Sequence, residues 1–334
     1  MNAIILPEYN ANIIRAMKGL QVGKMQIPKP TGGQVLIKVA AAPCNPSDIA
    51  FLRGGYNIRK PLPAVMGFEC TGTVVESGPD PKAQMLKGKR VSCFADETDG
   101  GTWAEYFMTR YENCIEITEA LPDEQAAAFC INPFTAYAMV QMAIVSKVKT
   151  IIQNGASGQI GIFIRKLAGM NGIQVINLVR KEDHLEKLKQ EGEKHVLGLN
   201  QPDFENRLHQ LAHNLEATIA FDAVGGEWSG QILNAMPAGA TLVVYGGLSG
   251  KPLGALNPMD IIFKGKTVKG FNLNQWKKET DEKKFQEVSS TLQQLILNHV
   301  LHTRIQGEFP LEEVQQAMEQ YIRNMSAGKI LFTP

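Results

Sequence analysis

The stretch Gly155-Ala156-Ser157-Gly158-Gln159-Ile160-Gly161 sets three glycines at intervals of three between an apolar run and a helical pattern. Such a turn is suited to gripping a phosphate. Gly155 lets the chain turn sharply, Gly158 lets backbone approach a pyrophosphate without an intervening Cβ, and Gly161 lets helix and strand pack closely. The first turn of the following helix, at Gln159 and Ile160, offers N–H groups with no partner inside the helix. The aligned peptide dipoles place about half a positive charge there. Ser157 adds a hydroxyl donor. The dinucleotide fingerprint is matched at its second and third glycines, with Ala156 in the place of the first. The same glycines also serve ordinary strand-to-helix turns, so the neighbouring residues decide between the two readings.

The next strand, "IQVINLVRK", ends about 20 residues past the glycines, where a dinucleotide domain meets the adenosine ribose. That position is Arg180. A carboxylate there would accept from a free 2′-hydroxyl, whereas a guanidinium pairs with a 2′-phosphate, which reads as NADPH over NADH. The alternative for Arg180 is a solvated surface arginine. Glu182 and Asp183 read as the start of the next helix.

The elements that must position these groups follow from the patterning. Up to about residue 120 the chain reads as short strands, "QVLIKVAAA", "GTVVESG", "KRVSCF" and "GTWAEYFM", broken by Gly and Pro. Pro122, Asp123 and Glu124 then suit the first turn of a helix, which sets a boundary near 122. Beyond it, the strands "TIIQNGA", "IQVINLV", "HVLGL", "ATIAFDA", "ATLVVYG" and "KTVKGFNL" alternate with helical stretches. This is the pattern of a parallel, doubly wound sheet covered by helices on both faces. Ile160, Phe163, Ile164, Leu167 and Ala168 form one apolar stripe on the helix after the glycines. A long polar helix is expected from about Trp276 to His299, and "GKILFTP" as a strand returning to the first domain. The expected division is 1–122 with 300–334, and 123–299.

The chain's 334 residues exceed what one core usually organises, which also points to two domains. Its 34 basic residues nearly balance 33 acidic ones, for a net charge of +1, and no face is marked for nucleic acid. Cys44, Cys70, Cys93, Cys114 and Cys130 are odd in number, widely spaced and without a C-x-x-C pair, so no disulfide framework or zinc knuckle is expected. The opening residues lack a basic region followed by an apolar core, and no apolar run reaches membrane-spanning length. A cytoplasmic location with no membrane partner is the expectation. Two motifs fail: Gln159 stands where a nucleophile elbow needs glycine, and Asp260 where a P-loop ending in Gly265-Lys266-Thr267 needs one. His209 and His213, at i and i+4, read as a solvated helix face, since no Glu follows the first of them.

The segment 44–74, together with "NGASGQIG", "FDAVGG", "YGGLSG" and "VKGFNL", resembles the medium-chain dehydrogenase/reductase superfamily from end to end. Within it the chain is similar to the zinc-independent branch of quinone oxidoreductases and trans-2-enoyl-CoA reductases. The resemblance implies an α/β protein with a GroES-like β-rich substrate domain, a Rossmann domain with a doubly wound parallel sheet, a catalytic cleft between them and a homodimer. Where zinc-dependent relatives carry Gly-His-Glu, this chain has Gly67-Phe68-Glu69, and Asn45 and about Ile131 stand where they carry cysteines. A phenyl ring offers no lone pair, so no metal is expected. A displaced site would have to draw on Cys44, Cys130 and Glu69.

Without a Lewis acid, a conjugated carbonyl is the favoured substrate, because it accepts hydride at its β carbon and spreads the charge onto oxygen. The site must then supply a hydrogen-bond donor for the enolate and a proton for the α carbon. Tyr56 is the candidate, since a phenol keeps its proton at neutral pH. Its position resembles that of the tyrosine near the substrate carbonyl in enoyl-CoA reductases. The alternative is that Tyr56 lines the site or packs a loop. Asn45 resembles the residue near the nicotinamide, with a turn cap as its alternative, and Ser47 and Asp48 read as a helix cap. By the same resemblance Thr135 lies beside the nicotinamide, Gly246 and Gly247 skirt the cofactor, Phe271 to Leu273 approach its ring, and Lys329 reaches it. Arg53, Arg59 and Lys60 would attract the phosphates of a thioester carrier. The resulting expectation is an NADPH-dependent reductase of a small-molecule enone or 2-enoyl thioester. The alternatives are an NADPH:quinone reductase and a non-catalytic NADPH-binding protein.

Overall fold

The computed structural model describes all 334 residues, and the chain divides into two units, residues 1–132 with 286–334 and residues 133–285. The divisions fall past the expected 122 and before the expected 299. The short helix Asp123–Ala126 belongs with the first unit because Gln125 donates to Thr303 O at 3.0 Å and accepts from Thr303 N–H at 2.8 Å. Gln293 ties the later segment to the same unit, accepting from Thr118 N–H at 2.9 Å and donating to Glu116 O at 3.1 Å.

The first unit is β-rich. A seven-stranded sheet runs Ile305–Phe309, Lys329–Phe332, Gln34–Pro43, Glu69–Ser77, Arg90–Phe94 and Cys114–Glu116, with Tyr106–Arg110 also paired to Gln34–Pro43. A second, three-stranded sheet joins Gln21–Lys24, Asn2–Leu6 and Ala64–Val65. The strand Lys329–Phe332 pairs antiparallel with Gln34–Pro43 at Leu331↔Pro43, so the expected return of the tail to this unit is what the chain does. Trp103, Phe51, Phe107, Phe332 and Tyr321 are buried in its core, and the Trp103 indole N–H donates to Pro43 O at 3.1 Å. The "GTWAEYFM" run becomes a strand only from Tyr106, with Trp103 buried in the core ahead of it.

The second unit holds six parallel strands in the order His195–Gly198, Gln174–Val179, Thr150–Gln153, Ile219–Asp222, Thr241–Val244, Thr267–Gly270. Counted along the chain this is 3-2-1-4-5-6, the doubly wound order of a Rossmann sheet, and it reverses between Thr150–Gln153 and Ile219–Asp222. Ligands of such sheets bind at the carboxyl ends of the strands beside that reversal. Phe163, Ile164, Leu167 and Ala168 of the helix Gln159–Met170 are buried, as the apolar stripe requires, while Ile160 is half-buried.

The expected long helix from Trp276 to His299 is instead two, Leu273–Glu279 and Glu282–Leu297. Thr280 ends the first: its backbone is extended, and its hydroxyl donates back to Trp276 O at 2.7 Å. A side chain competing for the i−4 carbonyl favours such a break. Asp281 opens the second helix, its carboxylate accepting from Lys284 N–H at 2.9 Å.

Candidate active site

The two units hold two sets of polar groups. In the second unit the glycine turn leaves the carboxyl end of Thr150–Gln153, at the reversal of strand order. Gly155 has φ +62°, a left-handed conformation, and its carbonyl accepts from Gly158 N–H at 2.9 Å. Gly158 is the N-cap of Gln159–Met170. A Cβ on Gly161 would lie 2.8 Å from backbone atoms of Ala156 and Gly155, so helix and turn approach as closely as glycine permits. The buried Gln153 amide fixes that approach, donating to Gly161 O at 3.1 Å and to Asn177 Oδ1 at 2.8 Å.

Around this turn the other strand ends contribute as follows. Arg180 directly follows Gln174–Val179 and is exposed. The Ser157 hydroxyl lies 2.9 Å from His184 Nδ1. Gly246 follows the strand Thr241–Val244, and a Cβ there would sit 2.7 Å from Ala223 O, whereas Gly247 faces open space. Phe271 follows Thr267–Gly270, its N–H donating to Val244 O at 2.8 Å, and Leu273 is half-buried. Thr135 is buried on the helix Asn132–Val145.

A brace that the sequence reading passed over holds these ends together. The Asn154 amide donates to Asp222 Oδ1 at 2.6 Å and accepts from Ala223 N–H at 2.7 Å. Asp222 Oδ1 also takes Val224 and Gly225 N–H, while Oδ2 takes the Ser229 hydroxyl at 2.6 Å. Polar residues closing the apolar strands of "TIIQNGA" and "IAFDAVGG" were the signal for it.

These residues fit a dinucleotide pyrophosphate. Gly155, Gly158 and Gly161 bring no Cβ to the turn, Gly158 caps a helix of ordinary length, and a Cβ on Gly158 or Gly161 would meet backbone.

In the first unit, three adjacent strands converge on Asn45. It follows Gln34–Pro43; on one side lies Lys329, heading Lys329–Phe332, and on the other Glu69, opening Glu69–Ser77. Asn45, Glu69 and Lys329 are all buried. The Lys329 ammonium donates to Asn45 Oδ1, and the Asn45 amide donates to Glu69 Oε2 at 3.0 Å. Glu69 Oε1 takes Ile131 N–H at 3.0 Å and the Cys130 thiol at 3.3 Å. Burial raises the Glu69 carboxyl and lowers Lys329, and each group's charge opposes the shift of the other.

Asn45 also caps the helix Pro46–Leu52, its own N–H donating to the Asp48 carboxylate at 2.6 Å. The expected cap is thus present at Asp48, with Asn45 rather than Ser47 in the N-cap place. The cap uses the Asn45 backbone N–H, while its side chain is engaged by Lys329 and Glu69. Tyr56 is half-buried, its ring 5.2 Å from Phe68, which packs 5.2 Å from Phe51 of that helix. Burial, and next the charge of Asp48, raise the Tyr56 phenol above its ordinary value. Lys60 is held to Asp99 O at 2.7 Å and Gly100 O at 2.8 Å, so its ammonium serves the loop. Arg53 and Arg59 are exposed, each donating to one backbone carbonyl.

The set-aside motifs have structural roles. Lys266 is buried, donating to Asp260 at 2.6 Å and to Leu233 and Asn234 carbonyls, where it closes the end of the helix Glu227–Ala235. The rings of His209 and His213 stack at 4.2 Å on Phe204–Asn214.

Comparison with known proteins agrees with this arrangement. Residues 31–119 match the alcohol dehydrogenase GroES-like domain, and residues 159–294 the zinc-binding dehydrogenase family. The mitochondrial enoyl-[acyl-carrier-protein] reductase of Mus musculus is 31% identical over 95% of this chain and 85% of its own length, and that of Homo sapiens 29% over the same shares. The crystal structure of a "putative NADPH:quinone reductase" from Mesorhizobium loti superposes with a TM-score of 0.92 at 31% identity, covering 100% of this chain and 98% of that one. With the β-rich unit, the parallel sheet in 3-2-1-4-5-6 order and these relatives along its whole length, the chain belongs to the medium-chain dehydrogenase/reductase superfamily.

Proposed function

We propose that the protein is an NADPH-dependent oxidoreductase that reduces the conjugated double bond of an enone or 2-enoyl thioester. The observation that carries this reading is the glycine turn Gly155–Gly161 at the strand-order reversal, with Arg180 at the end of the adjacent strand. Relatives named as enoyl-[acyl-carrier-protein] reductases and as an NADPH:quinone reductase support it. Bound at the turn, NADPH supplies a hydride. Gly158, Gln159 and Ile160 would meet the pyrophosphate, Ser157 and Arg180 the 2′-phosphate side, and Thr135, Gly246, Gly247, Phe271 and Leu273 the remainder of the cofactor. Tyr56 supplies the donor for the developing enolate.

Asn45 presents its amide in one orientation, because Lys329 donates to its oxygen while its nitrogen donates to Glu69. We read the chemistry as zinc-independent on the donor set: Phe68 offers no lone pair, and Glu69 and Asn45 are engaged by Lys329, Ile131 and Cys130. The displaced set would require Glu69 to release those partners.

Rates of NADPH oxidation with crotonyl-CoA, 2-alkenals and benzoquinones test the reading. Faster turnover of quinones than of every conjugated carbonyl would favour the quinone reductase, and saturable NADPH binding without turnover the non-catalytic protein. Replacing Arg180 by Ala is expected to weaken NADPH about 10- to 100-fold, the worth of a charged hydrogen bond of roughly 1.5–3 kcal/mol, with NADH affinity unchanged. Calorimetric titration of both nucleotides measures this, and equal losses would remove the phosphate role.

A homodimer is part of the proposal. The strand Thr267–Gly270 is the edge of its sheet, and the preceding helix Pro258–Lys264 exposes Ile262 at 62% and Phe263 at 77%. Exposed edges and apolar patches of this kind are ordinarily covered by a partner. The double change Ile262→Glu and Phe263→Glu is expected to halve the mass seen by light scattering, and an unchanged mass would place the interface elsewhere. No helix is long and apolar enough to cross a membrane. The Cys70 and Cys93 thiols share a hydrogen bond at 3.3 Å.

A further inference from the structure

Asp48 holds an oxygen that the helix cap does not use. The side chain has no exposed surface; Oδ2 accepts from Asn45 N–H at 2.6 Å, while Oδ1 has no hydrogen-bond partner. A cap needs one oxygen, and leaving a buried polar atom unsatisfied costs about 1–3 kcal/mol, so such an atom calls for a functional explanation. The groups facing Asp48 come from every element around it. They are Cys44 and Asn45 before its helix, Tyr56 and Lys60 after it, Glu69 and Lys329 from the two flanking strands, and Tyr321 from Val314–Arg323. Burial pushes the Asp48 carboxyl up to about 7; Glu69 adds to this, and the Asn45 N–H, Lys329 and Lys60 oppose it. Tyr56 is kept near by packing: its ring lies on Phe68, and Phe68 on Phe51 of the Asp48 helix.

We propose that Asp48 is the internal acid that returns to Tyr56 the proton consumed in each turnover. It touches neither substrate nor cofactor and acts through Tyr56, as a positioning residue that holds a proton in reserve. This rests on the reductase reading above. Once the β carbon has received hydride, the α carbon forms its new C–H bond with the Tyr56 hydroxyl proton. The phenolic O–H bond breaks and leaves a phenolate. The Asp48 O–H bond then breaks, its proton passing through a bridging water to the phenolate, and the carboxylate takes a proton from solvent. No electrons are exchanged in these steps. The transfer runs downhill, since an acid near neutrality is far stronger than a phenol of pKa about 10.

Asp48→Asn keeps an acceptor for the Asn45 N–H while removing the proton. It is expected to leave the NADPH Kd unchanged, to lower kcat about 10-fold or more, and to raise the solvent deuterium isotope effect on kcat. Wild-type kcat should fall as pH rises through about 7, where Asp48 loses its proton, and that limb should vanish in the variant. Imidazole should restore part of the lost rate. Independently of activity, the infrared spectrum of the whole protein should show a protonated carboxyl band that disappears across the same pH range and is absent from Asp48→Asn. Should that variant fail to fold, Asp48→Ser, which retains a capping oxygen, takes its place in every measurement. Wild-type kcat, isotope effect and pH profile in the variant, or a carboxyl already ionised a pH unit below 7, would overturn the proposal alone. A wild-type protein inactive on every conjugated carbonyl would overturn the reductase reading and the relay with it.

Discussion

Replacing Tyr56 by phenylalanine is expected to lower kcat about 10²- to 10⁴-fold, the usual contribution of a positioned proton donor, while the NADPH Kd stays as it was. The substitution removes only the hydroxyl. The ring's contact with Phe68 at 5.2 Å does not need it, so packing survives and a fall in rate reports chemistry. Burial and the Asp48 charge both raise the phenol, which therefore stays protonated at neutral pH and available to an enolate. Because that donation belongs to the transition state rather than to binding, kcat and kcat/KM should fall together. Stopped-flow measurement of the first turnover, following NADPH absorbance, separates the chemical step from product release. A first turnover as fast as that of the wild type would take Tyr56 out of the mechanism and leave it as a packing residue.

What the sequence disclosed depended on the range of the interactions involved. Five of the six parallel strands were legible as short apolar runs and Thr267–Gly270 by its place in the alternation, and Gly155, Gly158 and Gly161 because their spacing matches one turn and the helix it opens. The strand Lys329–Phe332 was placed by its composition. The contact of the Lys329 ammonium with Asn45 was not, since the two lie 284 residues apart and no local pattern encodes that meeting. Glu69 was noted for its place beside Phe68 and as a member of a displaced metal set with Cys44 and Cys130, while its carboxylate gathers Asn45, Cys130 and Ile131. Asp48 was read as a cap, and it is one; the unsatisfied second oxygen is visible only with the neighbouring elements in place. The break at Thr280 was missed because residues 277–284 are polar throughout and suit an exposed helix, while the Thr280 hydroxyl bonding backward is visible only in the folded chain.

Lys329→Met should cost about 3–5 kcal/mol of stability, the penalty for leaving a buried charge without its counter-charge. Methionine retains most of the unbranched stem, so the packing of Lys329–Phe332 against Gln34–Pro43 is preserved while the ammonium is lost. Two groups are then stranded in the interior. Asn45 Oδ1 loses its donor, and Glu69, fully buried, keeps three donors but no cation. The double variant Glu69→Gln with Lys329→Met removes both charges and should recover most of the loss, because exchanging a buried pair for neutral groups is often nearly neutral whereas breaking it is not. Urea unfolding followed through the fluorescence of Trp103, buried in the same unit, reads the difference as a shift in midpoint. If both variants lose the same stability, the Glu69 carboxyl is uncharged in the folded protein. Lys329 would then act on Asn45 by hydrogen bonding alone.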